Sequence, residues 1–229
     1  MFKFYLHYTI GRKLLMALSG FLLMVFLLQH LLINFLSVFS PELFNEVSHF
    51  MGTNKMVQFV LQPVLLFGFM FHLLMGIILE YRNNALNKQK YFFEKKHFYK
   101  KKTDSTWVSR NMIVTGIMIF LFLCLHFYDF WIPEIKYKYV DLNPEKSDRY
   151  FHELTHKFHD LCRVFLYVIS FLFLSLHLLH GFQSSFQSVG IRSSAYTPII
   201  KKISYYYAIL VPAGFIFISI YHYTSQLLN

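Results

Sequence analysis

Cysteine is scarce in this chain, with Cys124 and Cys162 the sole two, both inside or at the edge of apolar runs. That excludes a disulfide framework and any zinc-finger spacing. Charge is scarce as well: only 15% of the 229 residues are Asp, Glu, Lys or Arg. Acidic residues are fewer still, 12 against 22 basic, for a formal charge of +10. In a soluble protein such an excess would suggest nucleic acid. Here the basic residues fall between apolar runs, where they act as topology signals, and no nucleic-acid partner is expected.

What the chain has instead is apolar length. Hydrophobic residues make up 55% of it and aromatic residues 20%. Runs of about 20 apolar residues recur, the length a helix needs to cross a bilayer. The first run is too long for the core of a signal peptide and lacks a small-residue cleavage site, so it is read as a helix. Five spans are expected, Leu14 to Ser37, Val57 to Leu79, Asn111 to Pro133, Leu161 to Gln183 and Ser204 to Thr224. Backbone groups in hydrocarbon must be satisfied within each segment, so runs without strand alternation are helices. The expected fold is one all-α domain over residues 1–229, an integral membrane bundle, with local kinks at Pro63 and Pro212.

Lysine and arginine set the orientation. Lys3, Arg12 and Lys13 precede the first span; Arg82, Lys88, Lys90, Lys95, Lys96, Lys100, Lys101, Lys102 and Arg110 lie between the second and third; Arg192, Lys201 and Lys202 follow the fourth. The other side carries Lys55 and a long loop of mixed sign. The positive-inside rule then puts the N-terminus in the cytoplasm and the C-terminus outside.

Orientation gives the histidines depths. From the helical rise, His30 lies roughly 24 Å and His126 roughly 22 Å from the inner boundary, whereas His72 and His177 lie about 10 Å and 9 Å from it. Four histidines therefore form two layers, roughly 12 Å apart. Each inner histidine is followed four residues later by glycine, Gly76 and Gly181, which share its helix face and clear it of side chains. An internal echo accompanies the outer pair: Ser19 and Gly20 precede His30 by eleven and ten residues, as Thr115 and Gly116 precede His126. Ten residues is not a whole number of turns, so those glycines face the inner layer only approximately. Ionisable groups at membrane depth are costly and functional. A bis-histidine haem satisfies each pair, with both axial positions filled and electron transfer as the remaining role. His180, one turn beyond His177, is read as a packing or supporting residue.

Gln29-His30-Leu31, Phe44-Asn45 with His49-Phe50-Met51, His72-x3-Gly76, Thr115-Gly116 with His126, and His177-x3-Gly181 follow one another in an order that resembles a known family. It is that of the dihaem cytochrome b membrane anchors of succinate:menaquinone oxidoreductases and fumarate reductases. The resemblance covers nearly the whole chain. It implies two haem b groups, an outer one on His30 and His126 and an inner one on His72 and His177. It further implies a cytoplasmic flavoprotein subunit with FAD, an iron-sulfur subunit with its clusters, and menaquinone as the membrane substrate. The chain would then be the electron-transfer and quinone-site subunit of a succinate dehydrogenase or fumarate reductase of the respiratory chain and tricarboxylic acid cycle. It would be a multi-pass protein of the bacterial cytoplasmic membrane, with the dicarboxylate site on another subunit and the direction of the reaction open.

A quinone site needs a proton donor near the outer pair, for which Glu46, His49, Asp129 and His156 are candidates. Some members of the family carry a glutamate two residues before the fourth ligand; here that position is Ser175, so any proton route uses other groups. Tyr91, Phe92, Phe93 and Phe98 among the inner lysines suit docking to a partner subunit or to anionic lipid, as they suit a solvated loop. Two other functions compete. His152-Glu153-Leu154-Thr155-His156 fits the HExxH pattern of zinc proteases, with His159 as a third ligand, but it sits in a charged external loop of a chain with 12 histidines. Intramembrane histidines also serve transporters as proton relays.

Overall fold

The computed structural model describes residues 9–94, 111–144, 146–191, 193 and 196–228, and among them helices are the regular structure. The lysine- and aromatic-rich segment expected to dock a partner lies outside the described residues from 95 to 110, and the side chains of residues 83–94 are likewise outside them. Helix α1 spans Thr9–Phe39, α2 Pro41–Thr53, α3 Gln62–Glu94, α4 Met112–His126, α5 Ile132–Ile135, α6 Arg149–Lys157, α7 Leu161–Ser188 and α8 Tyr196–Leu228. Five continuous helical segments, Ile10–Phe39, Val57–Arg82, Met112–Val140, Leu161–Ser188 and Tyr196–Leu228, are long and apolar enough to cross a membrane. The fold is an all-α bundle. Its helices outrun the expected spans at several ends, because the apolar runs continue into helix-forming polar flanks that the hydropathy pattern does not mark.

Two of the long segments are interrupted by wide turns in which the backbone bonds reach one residue further than in an α-helix. These turns are Val57–Leu61 and Phe127–Trp131, and each ends two residues before a proline, Pro63 or Pro133. Proline removes an N–H and crowds the carbonyl four residues earlier, so a widened turn re-satisfies the ladder without water. Gln62 N–H reaches Val57 O, and Ile132 N–H reaches Phe127 O. A third such turn, Lys136–Val140, has no proline and closes the segment. Pro212 behaves differently, lying inside an unbroken α8.

Four spans form a square. Helix α1 packs along α3 and α7, and α4 packs along α7 with a lighter contact to α3, whereas neither α1 with α4 nor α3 with α7 is a close backbone packing. Those two pairs are the diagonals. Helix α8 lies outside the square against α7 and α1. The two sides of the bundle are called here the N-side, where α1 begins, and the C-side, where α8 ends.

Two segments expected as external loops are short helices that lid the C-side. Helix α2 starts on Ser40, whose Oγ accepts from Leu43 N–H at 3.1 Å, with Pro41 and Glu42 in the first turn. These are the residues a helix N-terminus prefers. The start of the helix also acts on Glu42: its backbone N–H and the Ser40 hydroxyl hold that carboxyl below its ordinary range. Helix α6 carries the HExxH stretch. Each lid buries an apolar side chain, Phe44 and Leu154, in a core shared with Phe158, Tyr167, Phe171 and Phe215. Full burial of such side chains stabilises by roughly 1.5–3 kcal/mol each.

Asn45 ties the lids together. Its Oδ1 accepts from Phe151 N–H at 2.7 Å, and its Nδ2 donates to Asp148 O at 3.2 Å. It therefore caps α6 from another helix. Replacing Asn45 with Ala should cost about 1–2 kcal/mol, the usual loss for a helix cap. Limited proteolysis of the purified protein in detergent should then cut faster within residues 141–160; an unchanged cleavage rate there would show that the clip carries no stability.

Candidate functional site

The diagonals of the square carry the four histidines. His30 from α1 and His126 from α4 meet with ring centroids 5.8 Å apart and planes at 87°. His72 from α3 and His177 from α7 meet with centroids 6.4 Å apart at 66°. The pairing expected from depth is the pairing in the fold. Helices that share a pair are those whose backbones stay apart, so the space between them is left to side chains. A metal–imidazole bond is about 2 Å and the ring centre lies about 1 Å beyond its nitrogen, so two rings on opposite sides of one metal stand roughly 6 Å apart. Both separations fit that. Among the described residues no hydrogen bond joins the two rings of either pair.

The pairs differ in their hydrogen-bond partners. Ser19 Oγ lies 3.1 Å from His72 Nδ1, and Thr115 Oγ1 lies 3.1 Å from His177 Nδ1. In the C-side pair, His126 Nδ1 is buried without a partner, and His30 has only the Asn34 amide at 3.5 and 3.4 Å from its two ring nitrogens. An orphaned ring nitrogen away from water is costly, and it suits a site that takes a ligand.

The glycines sort themselves by what they face. A Cβ at Gly20 would stand 3.5 Å from His72 Cε1, and one at Gly116 would stand 3.9 Å from His177 Cε1. At Gly76 and Gly181 the nearest neighbours are methionine methyl groups, Met16 Cε at 3.6 Å and Met112 Cε at 3.3 Å. Among the described residues, the position beside Gly76 thus has the tip of Met16 as its one neighbour within 4 Å, and the glycines nearest the imidazoles are those of the echo. Ser19 and Thr115 were legible only as part of that echo. Eleven residues is 3.06 turns, so Ser19 shares a face with His30 and Thr115 with His126. One face of α1 and one face of α4 therefore serve both layers, with roughly 16.5 Å of helix between each hydroxyl and the histidine on its own helix.

The four quinone-site candidates are not brought together: no hydrogen bond, ion pair or ring contact joins any two of them. Glu46 is exposed on α2, and His49 lies edge-on to Tyr150 at 6.3 Å. Tyr150 itself is pushed up to about 12, by burial first and then by the nearby Glu134 charge. Asp129, at 1% exposure, spends both oxygens within the protein: Oδ1 pairs with Arg163, and Oδ2 accepts from Tyr167 OH at 3.0 Å. Lys157 Nζ stands 4.0 Å from the same Oδ1. Tyr167 in turn touches the His126 ring, with centroids 6.3 Å apart. Sequence reading missed Arg163 and Tyr167 because 34 and 38 residues separate them from Asp129. It also missed His222, buried on α8, whose Nε2 lies 2.8 Å from Ser37 Oγ.

His156 lies on the C-side, exposed, and lines a cavity of about 490 Å³ with His152, His159, Phe151 and Gln226. In the HExxH stretch the His152 and His156 rings stack with centroids 6.3 Å apart. Glu153 is held by Arg149 at 2.7 Å, and among the described residues no group of three or more His, Cys, Asp or Glu could hold a metal ion. Burial works against the Arg149 charge, but its hydrogen bonds to Glu134 and Glu153 prevail and hold its protonation above the ordinary range.

Asp129→Asn tests whether that carboxylate is structural. It would strand the Arg163 guanidinium and should cost about 2–3 kcal/mol, less than a fully buried pair because Arg163 keeps some exposure to solvent. A thermal unfolding midpoint in detergent lowered by several degrees is expected; an unchanged midpoint would release Asp129 for other work.

The chain's likeness to other proteins adds nothing to this geometry: no family model, curated protein or solved structure matches it.

Proposed function

We propose that this chain is the membrane anchor and electron-transfer subunit of a succinate:menaquinone oxidoreductase or fumarate reductase, holding two b haems. His30 and His126 would hold one haem toward the C-side, and His72 and His177 the other toward the N-side. The observation that carries the reading is the two crossed pairs, at ring separations of 5.8 Å and 6.4 Å, each between helices that do not pack on one another. A bis-histidine haem, when bound, supplies one-electron transfer with no open position for oxygen or substrate.

The residues of the chain have definable tasks in that reading. The four imidazoles hold the metal. Gly20 and Gly116 let α1 and α4 approach the N-side rings, and Met16 and Met112 pack the flanks. The aromatic wall on the C-side pair, Phe26, Phe122, Phe130 and Phe215, excludes water. The basic residues near its ends support a cytoplasmic N-side, which would face the flavoprotein and iron-sulfur subunits that the family resemblance implies, in a bacterial cytoplasmic membrane. Menaquinone would then react toward the C-side, where His156 lines the cavity.

The test is spectroscopic. The full chain purified from membranes should carry about two low-spin haem b per chain. His72→Ala or His177→Ala should each remove the same haem, and His30→Ala or His126→Ala the other. With the His30 and His126 ring planes at 87°, a haem held between them should give a strongly anisotropic ferric EPR signal. A properly assembled protein without haem would sink the proposal. Loss of one and the same haem from His30→Ala and His72→Ala would overturn the pairing.

A further inference from the structure

Ser19 and Thr115 each have one hydroxyl hydrogen and two close neighbours. Ser19 Oγ lies 2.9 Å from Met16 O and 3.1 Å from His72 Nδ1; Thr115 Oγ1 lies 2.9 Å from Met112 O and 3.1 Å from His177 Nδ1. A carbonyl oxygen can only accept, so the hydroxyl hydrogen goes to the carbonyl. The imidazole nitrogen must then donate. Ser19 is 8% exposed and Thr115 1%, so water does not compete for either hydroxyl. A neutral imidazole carries its hydrogen on one nitrogen only, and with Nδ1 protonated the lone pair is on Nε2.

We infer that Ser19 and Thr115 are positioning residues that lock His72 and His177 in the Nδ1–H tautomer and so present Nε2 of both rings as ligands at the N-side layer. The identity of the group between the rings rests on the function proposed above; the tautomer follows from the hydrogen bonds. Each hydroxyl comes from the helix beside its histidine, α1 for α3 and α4 for α7, so each orients the ring as well as its proton. The C-side pair has no such device. His126 Nδ1 has no partner, and the contacts of His30 to Asn34 favour neither nitrogen. A hydrogen bond accepted from Nδ1–H makes the imidazole a stronger electron donor, which stabilises the oxidised metal. The N-side haem therefore owes part of its potential and retention to two hydroxyls, and the C-side haem does not.

The experiment compares Ser19→Ala and Thr115→Val, singly and together, with Ser19→Thr and Thr115→Ser, which keep a hydroxyl. Thr115→Val also keeps the side-chain volume. Each full-length variant is purified with its haem and taken through a redox titration followed by optical and EPR spectra. Removing the hydroxyls should raise the midpoint potential of the N-side haem and weaken its retention about 10- to 100-fold, the usual effect of losing a ligand's supporting hydrogen bond. The C-side haem should keep its potential and spectrum, which reports that the bundle is intact, and the hydroxyl-retaining variants should behave as the parent.

Unchanged potential and haem content in the double variant would overturn the inference. So would equal shifts in the Thr115→Ser and Thr115→Val proteins, because the hydroxyl would then not be the cause. His72→Ala separates the two levels of argument. Loss of one haem in His72→Ala with no effect of the hydroxyls rejects this inference alone; retention of both haems in His72→Ala rejects the function beneath it.

Discussion

A buried imidazole at membrane depth has two nitrogens, and hydrocarbon offers neither of them a partner. Every arrangement around the four histidines answers that constraint. At the N-side layer one nitrogen of each ring is satisfied by a hydroxyl from the neighbouring helix. At the C-side layer the rings stand among phenylalanines with their nitrogens poorly served. The separation of the rings in both pairs has room for a metal. The square of helices follows from the same need. Rings from diagonal helices can meet in the interior without forcing those backbones into contact.

The lids on the C-side solve a different problem. Chain leaving the hydrocarbon there must still keep water from the aromatic interior, and two short helices do so by burying Phe44 and Leu154 over the upper core. Asn45 locks one lid to the other. The ion pair of Asp129 with Arg163 sits just beneath, with Tyr167 as the link between that charge and the His126 ring. The Asp129 carboxylate is thus held by packing and hydrogen bonds, while its partners Arg163 and Lys157 keep partial access to solvent.

Five spans could be read from the apolar runs alone, and the histidine pairing from their depths, because both depend on length along a helix and a helix has a fixed rise. The facing of side chains between helices was harder to read. Gly76 and Gly181 stand out as neighbours of histidine in sequence, and in the fold each faces a methionine methyl, of Met16 or Met112, rather than an imidazole. The residues that serve the N-side rings, Ser19 and Thr115, belong to other helices and stand eleven residues from the C-side histidines. The signal was that near-whole number of turns. The lids were legible in part: Ser40-Pro41-Glu42 is a helix start, though no apolar periodicity of useful length follows it. The widened turns at Val57–Leu61 and Phe127–Trp131 could not be placed from sequence, since a proline calls for some relief of the ladder without specifying which.

The matched contacts have a geometrical meaning. Exchanging α1 with α4 and α3 with α7 carries Ser19–His72 onto Thr115–His177, Gly20 onto Gly116, and Met16–Gly76 onto Met112–Gly181. The two helical hairpins, α1 with α3 and α4 with α7, are thus matched in these contacts, although α1 packs more closely on α7 than α4 does on α3. The exchange also carries His30 onto His126 and His72 onto His177, so each pair joins matched positions of the two hairpins. At the N-side layer the two imidazoles are near-equivalent, each bonded to a hydroxyl from the other helix of its hairpin, whereas at the C-side layer His30 has the Asn34 amide and His126 Nδ1 has no partner, so the likeness of the two hairpins ends between the layers.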